Sequence, residues 1–196
     1  MFARTERLLL RPSWPEDARE LHAAIADEGI VRNLARAPWP YTADDAARFA
    51  ALEHDPLFPN FLLMLRTDGA PRLVGSCGLG EHDDGAELGY WIARPYWGLG
   101  FASEAGRAVL KIAQAIGHRK LVSGHFADNP ASGRVLRKLG FRNTGENEQR
   151  RSEGRGHAVT CLLFEKSLEN ACDEPMPVTF SPPPTMREHF ERLRAA

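Results

Sequence analysis

Residues 97–103 could bind an anion, because small and flexible residues stand there directly before a long amphipathic stretch. Gly98 and Gly100 lie close together, and Ala102 and Ser103 follow. The first main-chain N–H groups of a helix have no acceptor within the helix, and the helix dipole places partial positive charge there. Glycine lets a bulky anion approach this backbone, and Ser103 could add a hydroxyl donor. The loop therefore predicts a site for phosphate or diphosphate.

The spacing of these glycines does not match the usual nucleotide-binding motifs. No G-K-[S/T] follows, as a P-loop requires, and Ser103 occupies the third glycine position of G-x-G-x-x-G. A G-x-G before a helix also occurs wherever a strand must turn sharply. A nucleotide-binding domain that uses the loop for another phosphate ligand therefore stays open as an alternative.

Composition and charge narrow the class of protein. The chain has 196 residues with 43% hydrophobic content, which is enough for one substantial core. With 25 basic and 26 acidic residues the formal net charge is −1, so no global field favours nucleic acid or an anionic membrane as a partner. The first apolar run, residues 8–10, is too short for a signal peptide or a membrane span. The odd number of cysteines, without metal-ligand spacing, predicts a reducing, cytoplasmic location.

Strand-like and helix-like segments alternate along the chain and must position the glycine loop. The strand-like runs are 7–12, 61–66, 72–80, 86–93, 120–126, 141–146 and 157–164. The runs 61–66 and 72–80 are predicted to form a hairpin with an Asp68-Gly69 turn. The order of these segments predicts an α/β (mixed α+β) fold, with a mixed, mostly antiparallel sheet of about six to seven strands flanked by helices.

Capping signals mark where the helices begin. Ser13 and Glu16 predict a capping box for a helix that runs to about residue 27, and Thr42 with Asp45 predicts a second. The stretch after the glycine loop forms the long helix. A shorter helix over about 129–139 has Asn129 at its N-cap, followed by proline.

Three stretches of the sequence resemble one family. ELGYWIARPYWGLGFASEA, residues 87–105, resembles the acetyl-coenzyme A (acetyl-CoA) binding motif of the GNAT superfamily of N-acetyltransferases. DNPASGRVLRKLGF, residues 128–141, is similar to its second signature, and RLLLRPSWPEDARELHAA, residues 7–24, to its usual opening. The closest resemblance is to the subgroup that includes ribosomal-protein N-terminal acetyltransferases.

The C-terminal segment lies outside this resemblance and differs in composition. Five prolines between residues 172 and 184 suit an extended linker, and Thr185 with Glu188 could cap a short final helix. We therefore predict a GNAT-like domain over residues 1–170 and a proline-rich extension with a short terminal helix over residues 171–196.

The resemblance implies where acetyl-CoA would bind. The strand before the glycine loop and the strand after the long helix would part to form a V that holds the pantetheine, with the diphosphate on the helix start. Trp97 stands where the family pattern has Gln or Arg, so one side-chain phosphate donor is missing and backbone amides must bind more. The implied coenzyme-binding residues are Tyr90, Trp91, Ile92, Trp97, Gly98, Leu99, Gly100, Phe101, Ala102, Ser103 and Asn129.

The resemblance also implies direct acetyl transfer to an amine, which requires a base and an oxyanion donor but no metal. Glu87 is the candidate that accepts the amine proton, directly or through water, or orients the amine. Alternation places Glu87, Gly89 and Trp91 on one face of a strand. If that face does not line the cleft, Glu87 is a solvated strand residue. A main-chain N–H of residues 90–92 would donate to the oxyanion.

The proton source for the leaving thiolate departs from the family pattern. Leu136 occupies the position of the usual tyrosine. The subgroup resemblance implies Ser132 as the replacement, with its hydroxyl donating to the sulfur; the alternative is a hydroxyl that only satisfies backbone at a helix start. Asn129 would contact pantetheine or substrate in addition to capping the helix.

The acceptor amine is the least defined part of the expected reaction. By family analogy Trp39 and Tyr41, on an aromatic loop, would line the acceptor side and favour an apolar or cationic substrate. A protein N-terminus, a small amine and an aminoglycoside stay open as acceptors, and the protein is expected to be a monomer or homodimer. The missing tyrosine also permits a non-catalytic acyl-CoA-binding sensor.

Overall fold

An open sheet of eight strands forms the centre of the computed structural model, which describes residues 1–53 and 55–169. The strands are β1 (Ala3–Arg4), β2 (Leu8–Arg11), β3 (Asn60–Leu65), β4 (Arg72–His82), β5 (Gly85–Ile92), β6 (Lys120–Phe126), β7 (Arg142–Ser152) and β8 (His157–Ser167). Their spatial order is β1-β2-β3-β4-β5-β6-β8-β7. The helices are α1 (Ala18–Ile25), α2 (Glu28–Val31), α3 (Ala43–Ala50), α4 (Phe101–Ala115) and α5 (Pro130–Lys138).

The predicted mixed fold with a mostly antiparallel sheet is confirmed. Every neighbouring pair of strands is antiparallel except β5 with β6. The sheet has eight strands, where six to seven were expected. The additional strand is the two-residue β1, which pairs with β2 through Ala3 and Leu10. Such a short edge strand leaves no periodic signal in a sequence.

The parallel pair β5 and β6 separates almost at once. Only Ala86 with Leu121 and Glu87 with Val122 are paired, and the two strands then diverge. Beyond that point β5 stays bound to β4 as far as Ile92, and β6 stays bound to β8. The structure therefore contains the V-shaped split that the family resemblance implies.

Two apolar cores lie on the two faces of this sheet. Leu8, Leu10 and Leu88 face the core that α4 and α5 cover, whereas Leu62 and Trp91 face the core that α1 to α3 cover. A fully buried leucine side chain contributes roughly 1.5–3 kcal/mol relative to an exposed one. The alternation of leucines along β2, β3 and β5 thus fixes which face each strand residue presents, and with it the two sides of the split.

The two predicted helix starts have different outcomes. Thr42 caps α3 as predicted, since Asp45 N–H donates to Thr42 Oγ1 at 3.2 Å and Thr42 N–H donates to Asp45 Oδ2 at 2.8 Å. The Ser13–Glu16 capping box is wrong by one residue. A 3-10 turn over Pro15–Asp17 precedes α1, and Trp14 N–H donates to Asp17 Oδ2 at 2.8 Å. Asp17 closes this turn instead of Glu16, because Arg11 on β2 donates to the Asp17 carboxylate and fixes its position.

The first hairpin, β3 with β4, is present, but a loop over residues 66–71 replaces the tight Asp68-Gly69 turn. Thr67 Oγ1 organises that loop by donating to Ala70 O and accepting from Gly69 N–H.

The predicted proline-rich extension over residues 171–196 and the boundary at residue 170 lie outside the described residues. Within residues 1–53 and 55–169, no helix is both long and apolar enough to cross a bilayer.

Candidate active site

The glycine loop takes the conformation that its composition indicates. Gly98 and Gly100 have φ angles of 77° and 84°, in the left-handed region that glycine adopts most readily. Gly100 is the N-cap of α4, and the first helical N–H to donate is that of Glu104, to Gly100 O at 3.0 Å. The N–H groups of residues 101–103 therefore precede the helix hydrogen bonds. They stand at the positive end of the α4 dipole, where an anion is stabilised.

The side chains of this segment divide into two groups. Trp97 and Leu99 are about half exposed, whereas Phe101 and Ser103 are buried on the inner face of the first turn of α4. Burial of the Ser103 side chain argues against the predicted hydroxyl donation to a ligand. Its main-chain N–H remains at the helix start, and Ala102 beside it presents only a methyl group.

An arginine from the turn between β1 and β2 braces the glycine loop. Arg7 Nε donates to Glu104 Oε2 at 2.7 Å, and Nη1 donates to Leu99 O at 3.0 Å. The other Glu104 oxygen accepts from Thr5 Oγ1 at 2.5 Å and from Arg7 N–H at 2.9 Å. Burial alone would raise the pKa of Glu104, but these donors outweigh it and hold the pKa below its usual value. The first turn of α4 is thus tied to the turn between β1 and β2, at one edge of the sheet.

The edge of β5 is open where the sheet splits. Ser123 Oγ donates to Leu88 O at 2.8 Å, and Trp97 Nε1 donates to Ile92 O at 2.6 Å, so these carbonyls point toward β6. Alternation places the N–H and C=O of Tyr90 on the same side, between the two. Neither group pairs with β6, whose pairing with β5 ends at Glu87, and neither has another partner among the described residues. By the same alternation the main chain of Trp91 points toward β4, which leaves Tyr90 and Ile92 as candidates for the predicted oxyanion donor.

A pair of hydroxyls spans the split beside this edge. Tyr90 Oη lies 2.7 Å from Ser132 Oγ and donates to Ser132 O at 3.1 Å. Ser132 is held in place because its N–H donates to Asn129 Oδ1 at 3.4 Å, which confirms Asn129 as the N-cap of α5. Burial raises the pKa of Tyr90 well above its usual value, although the bond to Ser132 opposes this, so the phenol stays a donor. Leu136 is fully buried in the core.

Sequence reasoning missed the role of the Tyr90 phenol, because only the main chain of that residue was considered. A polar hydroxyl on the same strand face as Leu88 was the available signal.

Glu87 lies on the other face of β5 and is ion-paired. Its partner is Arg150 on β7, which also donates through Nε to Glu148 Oε1 at 2.6 Å. Burial would lower the pKa of Arg150, but Glu87 and Glu148 outweigh it and raise the pKa. Arg150 was not predicted, since it comes from a strand 63 residues away along the chain. The ion pair fixes the direction of the Glu87 carboxylate, and Arg150 would compete with a cationic substrate for it.

A gap in the side chains lies beside Glu87. Gly89 is exposed on the same strand face, and a Cβ at that position would meet no atom within 4 Å. Gly124 lies on β6 across the split. The strand face is therefore bare next to Glu87, which leaves room for a second substrate.

The aromatic loop contributes one exposed ring. Trp39 is 41% exposed and is accessible to a substrate. Tyr41 is only 7% exposed and lies in the core under α1 to α3, where its carbonyl accepts from His22 Nε2 at 3.1 Å. Burial raises the pKa of Tyr41 to about 12. The prediction that the Tyr41 ring binds substrate is therefore not supported, whereas that for Trp39 stays a prediction.

The site combines four chemical elements around one split in the sheet. These are main-chain donors at the start of α4, an open strand edge, a hydroxyl pair and, on the opposite face, a carboxylate. Among residues 1–53 and 55–169, no group of three or more His, Cys, Asp or Glu side chains is arranged to hold a metal ion.

Comparison with known proteins identifies related sequences. A sequence profile described as Acetyltransferase (GNAT) domain matches residues 7–142, which include the glycine loop and all of α5. The uncharacterized N-acetyltransferase YoaA of Bacillus subtilis (strain 168) is 27% identical over 162 residues, covering 72% of this chain and 82% of YoaA.

Solved structures share the fold at low sequence identity. The acetyltransferase (GNAT family) from Bacillus anthracis has a TM-score of 0.73 and 23% identity, covering 87% of this chain and 100% of that one. RimL, a ribosomal L7/L12 alpha-N-protein acetyltransferase in complex with coenzyme A, has a TM-score of 0.71 and 17% identity, covering 85% and 98%.

Proposed function

This chain belongs to the GNAT acetyltransferase family, and from that premise we propose that it transfers an acetyl group from acetyl-CoA to a primary amine. The observation that carries the proposal is the position of two sets of main-chain groups that have no partner within residues 1–53 and 55–169. One is the amides at the start of α4, and the other is the N–H and C=O of Tyr90 at the open edge of β5. Both adjoin the same split, and residues 91–100 separate them along the chain.

The glycine loop fits a diphosphate. A Cβ at Gly98 would meet no atom within 4 Å, so the space above the loop is open. Main-chain amides of residues 99–103 would hold the diphosphate, and Tyr90 would pair with an amide group of the pantetheine. This arrangement supports the set of coenzyme-binding residues from Tyr90 to Ser103, without the main chain of Trp91 and the hydroxyl of Ser103.

Glu87 would act on the amine from the opposite face. The amine nitrogen attacks the thioester carbonyl, so that a C–N bond forms and the C–S bond breaks. The proton of the amine passes to Glu87, directly or through water. Arg150 fixes the direction of the carboxylate, and the bare strand at Gly89 gives the amine access to it.

Ser132 would donate to the leaving thiolate. Its hydroxyl stands beside the open edge of β5, 2.7 Å from Tyr90 Oη. When the phenol turns its one proton from Ser132 O to Ser132 Oγ, the serine proton is free to point toward the split. The thiolate leaves as a charged group, so a positioned hydroxyl donor lowers the barrier for C–S cleavage. The pair would take the place of the tyrosine that Leu136 displaces, with Asn129 holding Ser132 at the helix start.

The acceptor is a primary amine of cationic character in its resting form. Arg150 is shared by two carboxylates, those of Glu87 and Glu148, and Trp39 is exposed, which suits an ammonium group. RimL is named for a protein N-terminus, and we propose the same acceptor class here, with a small amine as the second candidate. The described cysteines Cys77 and Cys161 are both free, which agrees with the reducing cytoplasm that we propose as the location.

Free-thiol release with a panel of amines tests the function. We expect turnover with acetyl-CoA and either peptide N-termini or small amines, and thermal stabilisation by acetyl-CoA but not by ATP or NAD. Stabilisation without turnover across the panel would favour the sensor, and stabilisation by ATP or NAD alone would favour the nucleotide-binding alternative.

A further inference from the structure

Arg7 retains hydrogen-bond donors after it has braced the glycine loop. A guanidinium carries five N–H groups. The Nε and Nη2 atoms lie 2.7 and 2.6 Å from Glu104 Oε2, and Nη1 donates to Leu99 O at 3.0 Å. These contacts use three of the N–H groups. The other two, one on each terminal nitrogen, have no acceptor within the described part of the chain, and 41% of the side chain is exposed.

These two donors lie beside the start of α4. Arg7 Nη2 is 3.6 Å from the position that a Cβ on Gly100 would take, and Arg7 Cζ lies 4.4 Å from the centroid of the Phe101 ring. The guanidinium therefore stands next to the capping residue of the helix and to the amides that follow it. The Glu104 carboxylate does not occupy this space, because Arg7 and Thr5 donate hydrogen bonds to its two oxygens.

The loop lacks the side-chain phosphate donor that its motif usually carries. Trp97 stands in that position, and its indole N–H is already engaged with Ile92 O. We propose that Arg7 is a coenzyme-binding residue, which donates its two remaining N–H groups to the diphosphate and replaces the missing donor. A guanidinium presents paired donors that match phosphate oxygens. This proposal rests on the proposed function, since it requires that coenzyme A binds at the loop.

Calorimetric titration of the full chain with two ligands tests the contact. Coenzyme A carries a diphosphate and a 3′-phosphate, whereas dephospho-coenzyme A keeps only the diphosphate. We expect Arg7→Gln to weaken the binding of both ligands by at least about tenfold, as the loss of hydrogen bonds to a charged group implies. The slope of log Kd against log salt should also become shallower, because one charge contact is gone. With S-acetylpantetheine as the acetyl donor, which lacks the diphosphate, kcat/KM should fall much less than with acetyl-CoA.

Arg66 provides a matched control. Its Nη1 donates to Glu6 O at 3.0 Å on the turn that carries Arg7, yet it has no hydrogen bond to Glu104 or to the glycine loop. Arg66→Gln should leave both Kd values unchanged.

Three results would overturn the proposal. Arg7→Gln could bind dephospho-coenzyme A as tightly as the wild type does, or lose affinity with an unchanged salt slope, which would indicate loop bracing alone. A loss of kcat/KM with S-acetylpantetheine as large as with acetyl-CoA would also contradict a diphosphate contact. In each case wild-type binding of coenzyme A would leave the proposed function standing, whereas a wild type that binds no coenzyme A would remove both.

Discussion

Tyr90→Phe removes one oxygen atom from the site and tests whether the phenol takes over from the tyrosine that Leu136 displaces. The lost Oη lies 2.7 Å from Ser132 Oγ and donates to Ser132 O at 3.1 Å. The aromatic ring remains, so packing against the core under α4 and α5 is kept. The Ser132 hydroxyl loses the partner that fixes its direction.

The structure sets the size of two separate effects. Two hydrogen bonds with a net value of about 0.5–1.5 kcal/mol each are lost, so the free energy of unfolding should fall by about 1–3 kcal/mol. Proton transfer to or from a reacting group by a positioned side chain contributes about 100-fold or more to a rate. Tyr90 acts through Ser132, which keeps its hydroxyl, so kcat should fall by about 10- to 30-fold, below that full contribution. The KM for acetyl-CoA should change by less than about threefold, as for an interaction made in the transition state.

Steady-state thiol release with a saturating amine measures the change in kcat, and urea unfolding measures stability. Tyr96→Phe is the control, because the Tyr96 ring is packed against the same core and its hydroxyl has no hydrogen bond among the described residues. The control should retain kcat and stability. If Tyr90→Phe keeps kcat within twofold while Ser132→Ala loses it, the phenol does not assist Ser132 and the hydroxyl-pair mechanism is wrong.

Three further predictions address the glycine loop, the proposed base Glu87 and the ion pair between Arg7 and Glu104. Gly100→Glu should abolish calorimetric binding of acetyl-CoA, because a φ of 84° disfavours a side chain and a carboxylate repels diphosphate; Gly117→Glu, at a φ of 97° beyond the far end of α4, should bind normally. Glu87→Gln should lower kcat by about 100-fold and leave the Kd of acetyl-CoA within about twofold; equal activity at saturating amine would refute the role as base. Glu104 has a lowered pKa in the folded state, so the stability it contributes is present above its ordinary value of 4.5 and is lost as pH falls through the folded-state pKa. The stability difference between wild type and Glu104→Gln, measured by urea unfolding, should therefore become smaller as the pH is lowered from about 7 to about 3. A difference independent of pH would show that the ionised carboxylate contributes nothing.

Local backbone chemistry explains which parts of the site were predictable. Gly100 at the N-cap of α4 and Asn129 at the N-cap of α5 follow from residue types within a few positions, because capping and left-handed conformations depend on neighbours in sequence. The same holds for Thr42 with Asp45. These three signals do not depend on how the sheet is assembled, and the structure retains them. At Ser13 and Glu16, by contrast, the ion pair between Arg11 on β2 and Asp17 moves the cap by one residue.

Contacts made across the sheet were not predictable in this way. Arg7 and Glu104 are separated by 97 positions, and Arg150 and Glu87 by 63. Their pairing depends on strand order and register, which no short spacing encodes. The direction of the Trp91 main chain is a similar case, because it depends on which residues of β5 form hydrogen bonds to β4. A family resemblance identifies the segment, but it does not say which alternate residues of β5 direct their main chain toward β4.

The split in the sheet leaves β5 with main-chain groups that need partners, and the structure satisfies only the ends of that edge. Ser123 donates to Leu88 O and Trp97 donates to Ile92 O, so side chains supply the hydrogen bonds that β6 would have made. Tyr90 lies between them with its N–H and C=O open. An unpaired main-chain group away from water costs free energy comparable to a lost hydrogen bond. A ligand with an amide group, such as pantetheine, would pair with both groups as it excludes water from the split, so that cost would not arise on binding. The strand thus offers one residue for pairing, at the position where Ser132 and the Tyr90 phenol meet.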